Sequence, residues 1–373
     1  MQSSSSIRTS WRAVSRRTLW LTLRRSLRPA LVAALVAVLA CPPYAFAVEE
    51  VLPQHVTKDT LKTVKLGLEY LARSQSADGG WHEGQAGQAY PTAMTGLAGM
   101  ALLASGSTPT RGRYASQITK AIEFLLTCST PSGLLTGPGQ ENGRPMHGHG
   151  FALLFLATAY GMETKESLRV RTKDVIDKAV SLTARGQSAE GGWTYIPGGG
   201  DEGSVTVTQV QALRAVNNAG LNVPRGTIEE AVRYIDKCQT SEGGIAYSLS
   251  SFGSEPQIAI SCAAVATLYN AGEYDSPVAN RCLDYVWKHF HGQGWVSVGG
   301  HDYYAHLYAA QAFYMSGDKY WSDYFPAARD KLVGMQDKSE GSWTGDYIGK
   351  VYGTSIALII LQLPYKYLPV YQR

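Results

Sequence analysis

The side chains best placed for chemistry fall into four small groups. Asp302 and His306 stand four residues apart and therefore on one face of a helix, with Tyr304 and Tyr308 on an adjacent face. A carboxylate there can orient an imidazole for general-base work, with Tyr304 beside it, although the same pair also suits a polar plug in a helical core. His147-Gly148-His149 can bite a metal or ligand from a loop; two hydrogen-bonded histidines at a helix start answer the same pattern. Asp201 and Glu202 follow the glycine loop 196–200, whose freedom suits a lid or a sugar-contacting edge, while loop acids are ordinarily just solvated. Tyr90 and Tyr352, with Tyr247, Tyr303 and Tyr304, offer aromatic walls that suit isoprenoid chains and sugar rings alike.

A repeat must hold these residues in place. Turns recur at Gln75-Ser-Ala-Asp-Gly-Gly-Trp81, Gln187-Ser-Ala-Glu-Gly-Gly-Trp193, Gln239-Thr-Ser-Glu-Gly-Gly-Ile245 and Gln336-Asp-Lys-Ser-Glu-Gly-Ser-Trp343, with looser copies at 129–135 and 291–295. Six copies about 50 residues apart mark a repeat architecture. Before each turn runs an amphipathic segment: Leu61, Val64, Leu68 and Leu71 recur at helical spacing, as do Ile228, Ala231, Ile235 and Cys238. The second of these is expected to open on a capping box formed by Thr227 and Glu230. After each turn the chain is apolar nearly all round, as in 151–160 and 356–361, which predicts a buried helix. One amphipathic and one apolar helix per repeat bury their faces best in two concentric layers. The expected fold is therefore all-α, an (α/α)6 toroid of six outer and six inner helices. Gln75, Gln187, Gln239 and Gln336 with Trp81, Trp193 and Trp343 are read as structural turn residues that cover helix ends and bond free backbone groups.

The first 47 residues carry seven Arg and no acid, then an apolar run at 30–40 and Ala45-Phe46-Ala47, the order of a signal peptide. The apolar run falls short of the roughly 20 residues of a spanning helix, so cleavage after Ala47 and export to the periplasm or medium are expected. Ser15-Arg16-Arg17-Thr18-Leu19 is similar to a twin-arginine export signal, and Val38-Leu39-Ala40-Cys41 loosely to a lipoprotein box. Removing the leader leaves 27 of the 34 basic residues against 30 acidic ones, a net charge of −3. That balance offers nothing to nucleic acid. Residues 48–373 then form a single toroid domain with no transmembrane span. Its four cysteines, Cys128, Cys238, Cys262 and Cys282, lie in apolar helical text and are expected to be buried thiols, with a Cys262–Cys282 bridge left open.

Gly67-x-x-Tyr70-Leu71-x-x-x-Gln75-x-x-x-Gly79-x-Trp81 resembles the QW motif of the squalene cyclase and prenyltransferase repeat families, and the looser copies extend the likeness over roughly residues 60–360. The closing segment 351–364 also resembles secreted bacterial repeat proteins of this kind. The resemblance implies the toroid but not the reaction. Squalene-type cyclases begin with Asp-x-Asp-Asp, whose clustered carboxylates keep one acid protonated for delivery to an alkene. Here Gln88-Ala89-Tyr90-Pro91 stands in its place, with every acid replaced. Protein prenyltransferases hold zinc with Asp, Cys and His. By resemblance Cys262 takes the cysteine place, but Ile260 stands where the Asp belongs and Ala305 where the His belongs, with His306 one residue late. The Gly-Cys-x-Glu-Gln segment of thioester relatives does not occur.

The expectation is an exported toroid that binds a ligand or partner at the mouth or cavity of its ring, without cofactor. Two alternatives stay open: a cyclase or transferase acting on an isoprenoid through a divergent site, which needs an apolar central cavity, and a carbohydrate-active lyase or hydrolase.

Overall fold

A computed structural model describes residues 52–85, 88–137, 143–163, 165–250 and 255–373. The leader at 1–47, with its export and lipidation signals, lies outside the described residues. Apart from a hairpin of two-residue strands, Gly84–Gln85 against Gln88–Ala89, the fold is helical. Twelve α-helices occur among the described residues: α1 (Lys58–Ser74) and α2 (Pro91–Leu103), α3 (Ala115–Thr127) and α4 (Pro145–Ala159), α5 (Glu166–Arg185) and α6 (Gly203–Asn218), α7 (Arg225–Cys238) and α8 (Ile258–Ala271), α9 (Pro277–Phe290) and α10 (Asp302–Ser316), α11 (Asp318–Met335) and α12 (Lys350–Gln362).

The even-numbered helices are the inner layer. Each packs on the next, from α2 through α4, α6, α8 and α10 to α12, and α12 returns to α2. Their apolar text explains the position: every residue of α2 is buried, whereas the outer helix α7 buries Thr227, Ala231, Tyr234, Ile235 and Cys238 on one stripe. The expected (α/α)6 toroid is the observed fold.

The turns weld the two layers together. In each of four repeats the glutamine amide donates to the carbonyl of its own turn glycine and to a carbonyl early in the next outer helix: Gln75 to Gly79 and Gln117, Gln187 to Gly191 and Thr227, Gln239 to Gly243 and Val278, Gln336 to Gly341 and Thr63. The last pair closes the ring, since Thr63 belongs to α1. The indoles of Trp81, Trp193 and Trp343 donate back to Leu71, Thr183 and Leu332 near the ends of their own outer helices. The turn glycine must be glycine. Gly191 has φ +97°, and a Cβ there would lie 2.3 Å from the Glu230 carbonyl oxygen.

One sequence expectation about the outer helices needs correction. The capping box at Thr227 and Glu230 does not form: the N-cap of α7 is Pro224, three residues earlier, so Thr227 already lies in the first turn, and its carbonyl accepts from Gln187. The four described cysteines are buried free thiols, as expected, and the Cys262–Cys282 bridge left open by the sequence does not form.

Opposite the mouth formed by the inner helix N-termini, the ring is filled. Gln211 of α6 donates to Gln311 of α10 across the centre at 2.5 Å, Gln362 donates to Ala101, and the C-terminal turn Pro369–Tyr371 packs on α6 with Tyr371 buried. No described helix is long and apolar enough to cross a membrane.

Candidate functional site

An inner helix begins with backbone amides that its own turns leave free, and at three of the six a carboxylate accepts from them. Glu202 caps α6 itself, accepting from the amides of Ser204 and Val205. Asp346, from the loop before α12, accepts from Tyr303 and Tyr304 at the start of α10, both at 3.0 Å, and from the Tyr352 hydroxyl at 3.2 Å. Glu83, from the loop before α2, accepts from Lys350, Val351 and Tyr352 at the start of α12. Carboxylates at helix N-termini complement the helix dipole. Asp346 and Glu83 also tie the loop of one repeat to the inner helix of the one before it.

Within this collar lies a cavity of about 280 Å³. Its lower wall is apolar, with Met94 and Leu97 of α2, Phe151 of α4, Leu307 of α10 and Ile356 of α12. Its rim is aromatic and basic, with Arg144, His147, Tyr195, Tyr247, His301 and Tyr304. The Arg144 guanidinium stands 4.6 Å above the centre of the Tyr195 ring, and the hydroxyls of Tyr195 and Tyr247 lie 2.5 Å apart. His147 Nε2 faces Ser204 Oγ at 3.4 Å, and the Tyr304 hydroxyl donates across the ring to the Ser204 carbonyl at 3.2 Å. Burial, with the charge of Arg144 added, pushes the His147 imidazole down to about 4, so it is neutral at physiological pH. Burial pushes the carboxyls of Glu202 and Asp346 upward against the hydrogen bonds they accept. Burial likewise raises the phenols of Tyr195 and Tyr304, which stay protonated.

Of the residues singled out in the sequence, Tyr90, His147, Tyr247, Tyr304 and Tyr352 line this cavity. The others lie in or behind its wall. Asp302 does not orient His306; it accepts from the Val298 amide at 2.7 Å and from Ser297, as a helix-start acid does. His306 is fully buried: its Nε2 lies 3.0 Å from both the amide and the carbonyl of Val296, its Nδ1 meets the Tyr324 hydroxyl at 2.8 Å, and Trp295 stacks on its ring at 3.8 Å. His149 does the same in its repeat, taking the Leu135 amide at Nδ1 and Thr183 of α5 at Nε2. In the other repeats Thr95, Thr206, Ser261 and Thr354 accept that amide, from Trp81, Trp193, Ile245 and Trp343. All six repeats therefore share one lock between turn and inner helix. Where the turn is degenerate an imidazole fills it and also bonds the following outer helix, whereas the indoles elsewhere bond their own.

Asp201 and Glu202 are not solvated loop acids, being 5% and 1% exposed. Burial pushes the Asp201 carboxyl up, but hydrogen bonds from the Ser250 and Ser248 hydroxyls and the Leu249 amide outweigh it and hold the group below its usual value. The rim residues Arg144, Tyr195 and His301 carried no sequence signal, because they sit in irregular loop text. The zinc set of the prenyltransferases does not fit here. Both ring nitrogens of His306 are engaged in the lock and Cys262 is fully buried. No group of three His, Cys, Asp or Glu side chains able to hold a metal occurs among the described residues.

A closed double ring of helices, with a mouth at the inner N-termini and a filled base, is an α/α toroid. The sequence matches the prenyltransferase alpha-alpha toroid domain over residues 43–227 and 219–295, and the chain belongs to that family. No curated protein matches it. Among solved structures it is similar to a variant of the type II terpene cyclase MstE from Scytonema in complex with geranylgeranyl dihydroxybenzoate, at 14% identity, covering 84% of this chain and 98% of that one with a TM-score of 0.57. It is also similar to the GH76 α-mannanase BT2949 of Bacteroides thetaiotaomicron, at 10% identity over 82% of this chain and 96% of that one, TM-score 0.60. At these identities the likeness is one of fold.

Proposed function

We propose that this protein is an exported binding toroid whose cavity takes the chain of a small amphiphile, an isoprenoid or acyl compound, and holds its polar head at the rim. One observation carries the reading: an apolar well of about 280 Å³ open beneath an aromatic and basic collar. That volume is close to the lower end of the roughly 300–1,000 Å³ range of small-molecule sites, which favours a short chain over a long polyprenyl. Two further facts support binding over the two enzymatic alternatives. No carboxylate lines the cavity among the described residues, whereas glycoside hydrolysis needs two carboxyl groups flanking the scissile bond. Glu202 and Asp346, the buried acids nearest the rim, are committed to helix amides. The leader at 1–47 is the basis for export, and its absence from protein recovered from the periplasm or medium tests that part.

Calorimetric titration of the folded protein with decanol, geraniol and α-1,6-mannotriose tests the ligand class. Micromolar binding of both alcohols and none of the sugar is expected. Leu97, 2% exposed on the wall, is the residue to fill: Leu97→Trp, if its helical circular dichroism is retained, lowers affinity for the alcohols at least tenfold. Binding of mannotriose with no binding of either alcohol would reverse the assignment.

A further inference from the structure

The loop before α12 presents an aromatic ring at the mouth in a backbone conformation that its residue type disfavours. Gly345 to Ile348 form a tight turn, closed by the Ile348 amide donating to the Gly345 carbonyl at 2.9 Å, and both central residues are left-handed, Asp346 at φ +49° and Tyr347 at φ +59°. Positive φ at both places marks a type I′ turn, which ordinarily takes Asn-Gly or Asp-Gly. Asp346 fits that pattern. A tyrosine in the second place is an outlier that its surroundings must hold. They do so through the Asp346 carboxylate, which accepts from the Tyr303 and Tyr304 amides and the Tyr352 hydroxyl, and through Gly345, packed on Gly353 and the Tyr303 ring.

The strained side chain does nothing for the fold. Tyr347 is 82% exposed, and its ring makes no hydrogen bond or ring contact among the described residues. Yet it stands at the cavity. The next residue, Ile348, lines the well, and a Cβ added at Gly300 would lie 3.8 Å from the Tyr347 ring, one residue before His301, which also lines it. The His301 imidazole is exposed and likewise has no hydrogen-bond partner among the described residues. An open aromatic face and a free imidazole, able to donate and accept, therefore occupy neighbouring points of the rim where the well meets solvent.

We propose that this edge of the mouth is a pyranose subsite, in which Tyr347 stacks on the C–H face of a sugar ring and His301 bonds its hydroxyls, and that the ligand is a glycoside whose aglycone is the chain held in the well. The proposal rests on the reading of the cavity as a well for an amphiphile's chain, and it names the head. A tyrosine gives a broad, rigid contact surface at small entropy cost. A flat apolar head would leave this wet position for the well below, whereas a ring with hydroxyls on its edge and C–H groups on its faces stacks and stays hydrated. No carboxylate lines the cavity among the described residues, so the glycoside is held without the paired acids that would hydrolyse it. The backbone strain at Tyr347 is the cost of placing the ring.

Decyl β-glucoside, decanol and 4-decylphenol are titrated calorimetrically into the folded protein, each below its solubility or micelle limit. Decyl glucoside should bind about tenfold tighter than decanol. Tyr347→Gly should erase that gain, leave decanol unchanged and raise the urea midpoint, because glycine adopts this φ freely. Tyr347→Phe should keep most of the gain, since the face and not the hydroxyl makes the contact, and His301→Ala should reduce it about threefold. A glucoside bound no tighter than decanol, or a gain that survives Tyr347→Gly, overturns the subsite while leaving the well intact. A urea midpoint that falls in Tyr347→Gly means that the ring serves the fold, and it overturns the proposal as well. If 4-decylphenol gains as much as the glucoside and loses it in Tyr347→Gly, the ring takes a flat apolar head and the sugar assignment falls. Failure of decanol and the glucoside alike to bind removes the well and the subsite together.

Discussion

His149 and His306 illustrate how a residue with catalytic potential becomes part of a scaffold. Each imidazole accepts a turn amide on one nitrogen and reaches an outer helix with the other, so each must be neutral. Burial pushes both down from 6.5 to about 4. The unfolded chain therefore binds more protons in that window. The stability they contribute is complete above pH 6.5 and is lost as pH falls through about 4. Glu202 and Asp346, with raised carboxyls, carry the opposite sign and lose stability as pH rises, so a comparison between variants isolates the histidine term. His306→Gln is expected to lose about 2 kcal/mol at neutral pH, and its urea midpoint should decline less steeply toward pH 4 than that of the parent. A slope unchanged by the substitution would remove His306 as an acid-sensitive lock. The sequence could place His306 and Asp302 on one helical face but not say which way that face turned. The outward side of an inner helix meets the turn and the outer layer, and the polar residues there are consumed. Tyr90, His147, Tyr304 and Tyr352 were legible because they sit at inner helix starts, which a ring must gather at one mouth.

The helix-turn-helix unit was the most legible part of the chain, since its chemistry is local and repeated. Gln187, Gly191 and Trp193 act within a few residues of one another and on the adjoining helices. The false capping box shows where local reading stops. Thr227 and Glu230 have the right spacing, but Pro224 sets the start of α7 and the threonine becomes a buried first-turn residue. The turn glycine gives a graded test. Gly191→Ala combines a left-handed backbone with a Cβ 2.3 Å from the Glu230 carbonyl oxygen, whereas at Gly220, φ +74°, nothing lies within 4 Å of an added Cβ. Gly220→Ala should cost about 1 kcal/mol and Gly191→Ala about 3 kcal/mol or more in urea unfolding. Equal losses at the two sites would mean that backbone strain, and not contact with the next outer helix, fixes the turn.

The assembled ring differs from an open helical array in having no free end. Gln336 bonds Thr63, Gly341 packs on the Leu66 carbonyl, and α12 lies against both α1 and α2. Removing residues after Met335 strips the inner wall from α1 and α2 at once. The shortened chain should lose cooperative unfolding, unlike an open repeat protein that tolerates loss of a terminal unit. The closed ring also explains why the cavity could not be anticipated. The number of repeats predicts a centre, but how far it is filled depends on Gln211, Gln311 and Tyr371, which meet only across the ring and at its base. They leave the well beneath Arg144 and Tyr195 empty of side chains. A crystal structure of the protein grown with decanol tests that well most directly. The account predicts the alkyl chain between Leu97, Leu307 and Ile356 with its hydroxyl at the rim, and a well closed by side chains, with decanol bound elsewhere or not at all, would contradict it.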